Sequence, residues 1–177
     1  MAKGIIRTDN LKATKNGNIR SARFYVGDVP TKIENGNLVQ VDTLISTANR
    51  ELFKAVAPSD ITSLNVGVVA TPEIIYSEEL RSTGSLQNFE NAADESVTVL
   101  MLAAGDLLSI SDECIIPIDD DDDIPAVGSY VTITKTSTKW TEKTTLAGTE
   151  TLYGKIIARE LFKKDVYLNV IEIIKAN

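Results

Sequence analysis

The apolar residues of this chain come in short runs rich in β-branched side chains, and turn-forming residues separate these runs. This spacing is typical of β-strands, because an α-helix would need a longer stretch with apolar residues every three or four positions. Two of the runs, at 51–57 and 66–70, are followed closely by Pro58 and Pro72, which cannot donate a hydrogen bond to a sheet. The sequence therefore predicts a mainly β protein.

Residues 19–96 are predicted to form a β-rich N-terminal part. The apolar ends of the segment 33–39 flank Asn35 and Gly36. Asparagine and glycine tolerate the positive φ angles of a tight turn, so this pattern predicts a β-hairpin. A short helix is expected at 85–93, which begins with a serine that can cap it and places apolar residues on one face.

Residues 97–177 are predicted to form a C-terminal small β-barrel or sandwich-like domain. Glycines begin two similar segments, 105–110 and 128–133, and each looks like a tight turn that leads into a strand. The last two strands are joined by a plausible hairpin at 162–165, and the final strand is apolar enough on both faces to predict burial on both. Because neither part of the chain would bury much surface alone, we expect them to pack together. Three further strands complete the five of this domain: 97–102, 154–161 and 166–173.

Residues 1–18 are predicted to be a flexible basic N-terminal arm. They are too polar to form a core of their own and would have to lie against something. They lack the apolar stretch of a secretory signal, so we expect synthesis in a cytoplasm, and no apolar run is long enough to span a membrane. Up to residue 25 the chain carries a single acid, Asp9, and six bases: Lys3, Arg7, Lys12, Lys15, Arg20 and Arg23.

The composition excludes much of catalytic chemistry. The 177 residues include no histidine, which excludes Ser-His-Asp triads, Cys-His dyads and histidine-ligated metals. The single cysteine, Cys114, can form neither an intrachain disulfide nor a cysteine-rich metal site. We expect it to be a small buried hydrophobic residue, since Asp112 and Glu113 would raise its pKa. The sequence therefore predicts neither an enzyme nor a cofactor.

The charge balance argues against nucleic acid as a partner. There are 18 Lys and Arg residues against 25 Asp and Glu residues, a formal net charge of −7, and no glycine-rich phosphate-binding loop. The run Asp119–Asp123 could attract a cation such as Ca²⁺, but neighbouring side chains of an extended segment point in opposite directions. A solvated or partner-facing acidic loop is therefore favoured over a metal site.

Trp140 lies in a polar stretch, 135–151. An exposed hairpin tip would explain this stretch, and so would an aromatic anchor that is buried against a partner protein. Both interpretations remain open on the sequence alone. The candidate partner-binding residues are accordingly the six bases near the N-terminus and three aromatic residues: Lys3, Arg7, Lys12, Lys15, Arg20, Arg23, Phe24, Tyr25 and Trp140.

Six segments, taken in their order along residues 34–174, resemble small structural proteins of tailed bacteriophages that infect Gram-positive hosts, in the head or capsid-decoration group. Their order, rather than any one of them, carries the resemblance: Arg50–Pro58, Val68–Glu73, Leu86–Asn91, Ala104–Ile110, Val127–Val131 and Gly154–Ala158.

The resemblance implies a non-enzymatic virion component that binds the assembled major capsid protein, often as a symmetric oligomer. We therefore expect two partners, the major capsid protein and further copies of this chain, with a trimer favoured and a dimer next. The expected location is the virion. Two alternatives remain: a tail or head-tail connector protein, which would form a ring or tube, and a carbohydrate enzyme that uses two of the chain's many carboxylates.

Overall fold

The computed structural model describes residues 3–7, 18–46, 48–73, 89–118, 124–163 and 166–176. Within these ranges the chain forms two six-stranded β-sheets and no α-helix. The prediction of a mainly β protein is confirmed.

The first sheet contains a closed five-stranded barrel. Its strand order is β2-β1-β4-β3-β5-β6, and β1 also pairs antiparallel with β6, which closes the sheet on itself. The pairing of β1 with β4 is parallel. Closure gives each barrel strand two neighbours, so the barrel exposes little unpaired backbone. The strands are β1 Ile19–Val26, β2 Val29–Pro30, β3 Leu38–Ser46, β4 Asn49–Val56, β5 Val66–Val69 and β6 Val97–Met101.

The second sheet has the order β7-β12-β11-β9-β10-β8 and curls into a half-barrel. Its two edge strands, β7 and β8, are joined by a single 3₁₀ turn, Asp112–Cys114, which brings the edges of the sheet towards each other. The strands are β7 Leu107–Ser111, β8 Ile115–Ile116, β9 Tyr130–Thr132, β10 Trp140–Lys143, β11 Tyr153–Lys163 and β12 Val166–Lys175.

The two sheets share one hydrophobic core. Val68 of β5 contributes to this shared core, whereas the next residue, Val69, belongs to a second cluster within the barrel. Successive residues of a strand point to opposite faces, and here both faces are covered, so all four residues of β5 are buried. The second sheet contributes to the shared core, among others, Leu108, Ile110, Trp140, Ile156 and Ile171.

Several strand boundaries agree with the pattern in the sequence. The glycines that begin the two similar segments, Gly105 and Gly128, have φ angles of +91° and +100° and lead into β7 and β9. Strands β11 and β12 form the expected antiparallel hairpin. The expected burial of both faces of β12 is wrong near its end, where Glu172 and Ile174 are exposed.

The barrel lies earlier in the chain than the sequence suggested. The closed barrel comprises strands between residues 19 and 101, and the second half of the chain forms the curled sheet. Strand β6, which we placed at the start of the C-terminal domain, pairs with β1 and β5 and so completes the barrel. The pairing of a strand is decided by partners far away in sequence, which a local pattern does not reveal.

The predicted hairpin at Asn35 and Gly36 is wrong, although the turn itself is present. Gly36 has a φ of +82°, but Ile33 forms a bridge with Asn91 and Leu38 pairs with Val68, so the flanking residues do not pair with each other. The Asn35 side chain explains this arrangement, because it fastens the turn to other parts of the fold. A two-residue turn at 27–28 joins the paired strands β1 and β2 instead.

The predicted helix at 85–93 is not supported where the structure describes it. Residues 85–88 lie outside the described ranges, and residues 89–93 are not helical. Asn91 is buried there, and its Nδ2 atom donates a hydrogen bond of 3.0 Å to the carbonyl oxygen of Ile33. This tertiary contact replaces the local hydrogen bonds of a helix.

The N-terminal segment 3–7 packs on the second sheet and is not a flexible arm. Ile6 forms an antiparallel bridge with Ile110, and the backbone N–H groups of Arg7 and Ser111 donate to the carbonyl oxygens of Ser109 and Ile5, each at 2.9 Å. We expected the polar arm to lie against another surface, and for residues 3–7 this surface is strand β7 of the same chain. Residues 8–17 of the predicted arm lie outside the described ranges.

Candidate binding cleft

A cleft of about 740 Å³ lies where the end of the barrel meets the loop before β10. Its walls come from the β1–β2 turn, the segment 32–37, the end of β4, the 3₁₀ turn and residues 136–139. Clefts of this size are typical of sites for small ligands or short peptides.

Two backbone hydrogen bonds fix the 136–139 wall to the barrel. Leu38 N donates to the Thr138 carbonyl oxygen at 2.6 Å, and Thr136 N donates to the Pro58 carbonyl oxygen at 2.8 Å. The next residue in the chain, Trp140, donates from Nε1 to the carbonyl oxygen of Gly36 at 3.1 Å. The wall is therefore fastened at both ends, and the shape of the cleft is set by the fold.

The floor of the cleft is apolar. Phe24 and Ile33 are both buried, and Val56 is half-buried beside them. Tyr25 also lines the cleft, and the Nζ atom of Lys54 lies 5.2 Å from the centre of its ring. One face of this ring is thus already in contact with a cation.

Two glutamates at the rim are neutralised by lysines. Lys3 Nζ lies 3.3 Å from a carboxylate oxygen of Glu34 and 3.1 Å from one of Glu90, and Lys32 Nζ lies 3.4 Å from the other oxygen of Glu90. The hydrogen bond to Glu90 is the main cause that raises the pKa of Lys3. Burial by itself would raise the pKa of Glu90, but the two lysines outweigh it and lower that pKa. The Glu90 carboxyl is consequently ionised at neutral pH.

Three other polar side chains line the cleft. Asn37 is only 6% exposed as a residue, and its side chain lines the cleft. Glu113 and Lys139, which line the same cleft, make no ion pair with any described residue. The cleft therefore presents an amide, a carboxylate and an ammonium group.

The structure places the predicted partner-binding residues in several different surroundings. Phe24 and Tyr25 line the cleft and Lys3 lies at its rim. The guanidinium of Arg7 lies 5.0 Å from the ring of Phe162. Lys12 and Lys15 lie outside the described residues. The structure does not bring the described residues of this set together at one surface.

Two bases of β1 also contact other side chains of this chain. The Arg20 guanidinium lies 5.0 Å from the ring of Phe53, and an Nη1 atom of Arg23 lies 3.7 Å from a carboxylate oxygen of Asp94. These contacts leave Arg20 and Arg23 less available to a partner than the sequence suggested.

Both proposed roles of Trp140 in the sequence analysis are wrong. Its side chain is fully buried in the shared core, so it is neither on an exposed hairpin tip nor available as an anchor for a partner. Phe24, at 6% exposure, is likewise mainly a core residue that contributes one surface to the cleft. The cleft residues Asn37, Glu113 and Lys139 were missed, because they come from three distant segments and none belongs to a recognisable motif.

Cys114 is confirmed as a buried hydrophobic residue. Burial is the main cause that raises its pKa to about 12, and Glu113 contributes in the same direction. The Sγ atom fills the space beside Gly4 and Gly36, where an added Cβ would approach it to 2.7 Å and 2.5 Å. The thiol therefore serves packing and is not a nucleophile.

The described residues contain no group of three or more Cys, Asp or Glu side chains placed to bind a metal ion. The run Asp119–Asp123 lies outside them. In the same described ranges, no helix is long and apolar enough to cross a membrane. Comparison with family models, curated proteins and solved structures gives no match to this chain.

Proposed function

We propose that this chain is a non-enzymatic structural protein of a bacteriophage virion, a decoration or cement protein that binds the assembled major capsid protein. The ordered sequence resemblance suggests the virion role. The structural observation that carries the proposal is an open strand edge with apolar side chains on the second sheet. Such an edge is a ready template for pairing with another chain.

The edge belongs to the outer half of β11. This strand pairs with β9 only over residues 153–155, and beyond Ile156 its only strand partner among the described residues is β12. Leu161 is 64% exposed and Ile157 is 42% exposed on this part of the strand. An unpaired strand edge with exposed apolar side chains promotes association, so a neighbouring subunit in a lattice is the natural cover for it.

The chemistry of the cleft favours binding over catalysis. Glycoside hydrolysis needs a carboxylic acid that stays protonated near neutral pH. Glu90 has the opposite property, because Lys3 and Lys32 lower its pKa. The thiol nearest to the cleft, Cys114, is buried with a pKa of about 12 and so does not supply a thiolate nucleophile. These features support a binding role rather than a catalytic one for this cleft.

A protein that binds only the assembled lattice stabilises that lattice by mass action. We propose that it does so as a homo-oligomer, with a trimer favoured and a dimer next, since symmetric pairing covers open strand edges. A tail or head-tail connector protein would use the same edge to form a ring or tube, and negative-stain images distinguish a ring from a surface lattice.

The test is co-sedimentation with mature, expanded capsids of the source phage. We expect the wild-type chain to bind, and L161E to lose most of the binding because a charge is placed on the proposed edge. The matched control is L64E, which changes a similarly exposed leucine, 59% exposed, in the segment between β4 and β5. Absence of wild-type binding, or equal loss in both variants with unchanged thermal midpoints, would contradict the proposal.

A further inference from the structure

We infer that the groove beside the edge strand β7 is a strand-acceptor site, and that it takes the segment 3–7 of a second copy of this chain as well as its own. The segment lies along β7 as an added antiparallel strand, with Ile6 opposite Ile110. The backbone hydrogen bonds of Arg7 and Ser111 flank this pair on both sides. Addition of a strand to the edge of a sheet is a recurrent mode of recognition between chains.

The groove holds the two apolar side chains of the segment in different places. Successive residues of a strand point to opposite faces. Ile5 is 1% exposed and packs with Val166 and Leu168, whereas Ile6 belongs to the shared core. The backbone N–H of Ile5 also donates a hydrogen bond of 3.0 Å to the buried Oγ of Ser111. The groove therefore requires two adjacent apolar residues, one for each cluster.

Gly4 fixes the register of the segment. A Cβ atom at this position would approach the carbonyl oxygen of Asn35 to 2.6 Å and Cys114 Sγ to 2.7 Å. Asn35 and Cys114 are both fully buried, so neither can move aside without disturbing its own packing. Only glycine fits directly before the two apolar residues without such a disturbance.

Basic residues at the two ends complete the match. Lys3 Nζ lies 3.3 Å from a carboxylate oxygen of Glu34 and 3.1 Å from one of Glu90. The guanidinium of Arg7 lies 5.0 Å from the ring of Phe162. Over five consecutive positions the site thus accepts a base, a glycine, two apolar residues and a base. The segment itself has this pattern, so the occupant supplied by another molecule is the same segment of a second copy.

The covalent length between the segment and β1 permits this exchange. Arg7 lies beside Ser109 of β7, and the carbonyl oxygen of Asn18 accepts a hydrogen bond from Met101 N at the end of β6. The chain from Arg7 to Asn18 can span at most about 36–40 Å. A second copy within this reach offers an identical groove, so the exchanged segment would regain every contact described above. Such a swap is a low-cost route to association.

The inference rests on the proposed function in one respect, because a lattice is what holds neighbouring copies close together. A short connector gives a segment an effective concentration of about a millimolar at its own groove, so a neighbour at similar concentration competes for it. The tests below use no capsid. If both succeed while capsid co-sedimentation fails, the acceptor site is supported and the virion role is contradicted.

The first test mixes two full-length variants whose disulfide can form only between chains. I6C and I110C, each combined with C114A so that it has a single thiol, are mixed at about 1 mM and oxidised. One of them carries a tag that identifies the heterodimer by size. Residues 6 and 110 are opposite each other and the hydrogen bonds lie on their neighbours, which is the closely spaced type of antiparallel pair that a disulfide can bridge. We expect about tenfold more heterodimer than from I110C mixed with I19C, a control at a position that is 55% exposed.

The second test uses the full-length variant I5A, whose own segment is held less tightly. We expect the peptide acetyl-Lys-Gly-Ile-Ile-Arg-amide at millimolar concentration to displace that segment and to raise the thermal midpoint of I5A by about 3 °C or more. The matched control is acetyl-Lys-Ala-Ile-Ile-Arg-amide, which should leave the midpoint unchanged because its alanine would meet Asn35 and Cys114 at the position of Gly4.

Either of two results would overturn the inference. The first is a heterodimer of I6C and I110C that is no more abundant than that of the control pair. The second is a thermal midpoint of I5A that the glycine peptide leaves unchanged or that the alanine peptide raises equally.

Discussion

The docked N-terminal segment leads to a specific prediction for Ile5. Its side chain is 1% exposed and forms a small cluster with Val166 and Leu168, against which the half-buried Phe162 also packs. The backbone on both sides of it is hydrogen-bonded to β7. The variant I5A removes three carbon atoms from this cluster and leaves those backbone hydrogen bonds in place.

The expected loss follows from the size of the side chain and of its surroundings. Replacing a buried isoleucine by alanine costs about 2–5 kcal/mol, with the larger values at sites that cannot collapse. The Ile5 cluster has only three buried members and a partly exposed wall, so it can relax. We therefore expect the free energy of unfolding to fall by about 2–3 kcal/mol, which for a chain of this length lowers the thermal midpoint by about 5–10 °C.

Urea unfolding followed by tryptophan fluorescence measures this change, because the single tryptophan, Trp140, is buried in the shared core. The matched control is I19A, which shortens an isoleucine that is 55% exposed and should change stability by less than about 0.5 kcal/mol. If I5A were as mild as I19A, the segment 3–7 would not be part of the folded structure, and the interpretation of the N-terminus as a docked strand would be refuted.

Three further predictions concern the surroundings of Cys114 and the rim of the cleft. G36A should lower the free energy of unfolding by about 2 kcal/mol or more, because an added Cβ would approach Cys114 Sγ to 2.5 Å. The control G148A has a similar φ of +86° but no atom within 4 Å, so it should lose only the backbone strain of about 1–2 kcal/mol. Urea unfolding compares the two variants. The Cys114 thiol should resist iodoacetamide at pH 8 in the native state and react in denaturant. Because folding raises its pKa from 9.0 to about 12, its contribution to the free energy of unfolding should be complete below pH 9 and be lost as the pH rises towards 12. This loss should be absent in C114A. Folding lowers the pKa of Glu90, so its contribution to stability is present above pH 4.5 and is lost as the pH falls below that value. E90Q should reduce this acid-dependent loss of stability by no more than about 1 kcal/mol. Thermal unfolding between pH 3 and pH 7 measures the difference.

The strands that could be predicted from the sequence are those marked by local chemistry. Gly105 and Gly128 adopt positive φ angles that other residues avoid, so the turns before β7 and β9 are visible in the sequence. The barrel could not be recognised in the same way, because it depends on a parallel pairing of β1 with β4 and on closure between β1 and β6. Both pairings join distant segments with similar local composition.

The Asn35–Gly36 turn shows why a correct local prediction can give a wrong partner. Asn35 Nδ2 donates to the carbonyl oxygen of Thr71 at 2.8 Å, and its Oδ1 accepts from Thr71 N at 3.1 Å and from Asn91 Nδ2 at 3.1 Å. A side chain with these contacts acts as a cross-link between three segments. The tight turn was visible in the sequence, but its use as a cross-link depends on residues 36 and 56 positions away.

The candidate site was only partly visible for a related reason. Phe24 and Tyr25 were selected as aromatic residues next to a basic segment, and the structure places both at the cleft. Trp140 was selected because it lies in a polar stretch, but its indole N–H reaches Gly36, 104 residues away, and buries the ring. Sequence neighbours are thus a poor guide to burial when the covering residues come from another sheet.

The position of residues 3–7 changes how a capsid-docking role of the N-terminal bases can be tested. Removing residues 2–18 would also remove Ile5 and Ile6 from the core, so a loss of capsid binding by such a deletion would not separate docking from folding. Lys3, Arg7, Arg20 and Arg23 are engaged within the chain. The informative variant is therefore K12Q/K15Q, which changes only charges outside the described fold.

We expect K12Q/K15Q to weaken capsid co-sedimentation and to reduce its dependence on salt, because removing two positive charges weakens their attraction to an acidic surface. Thermal unfolding of the variant checks that the change is in association and not in stability. Each exposed ion pair contributes at most about 1 kcal/mol, so the loss should not exceed about thirtyfold for two lysines. Replacing Asp119–Asp123 by asparagine should change capsid binding little. The opposite ranking of these two variants would assign the capsid contact to the acidic run rather than to the N-terminal bases.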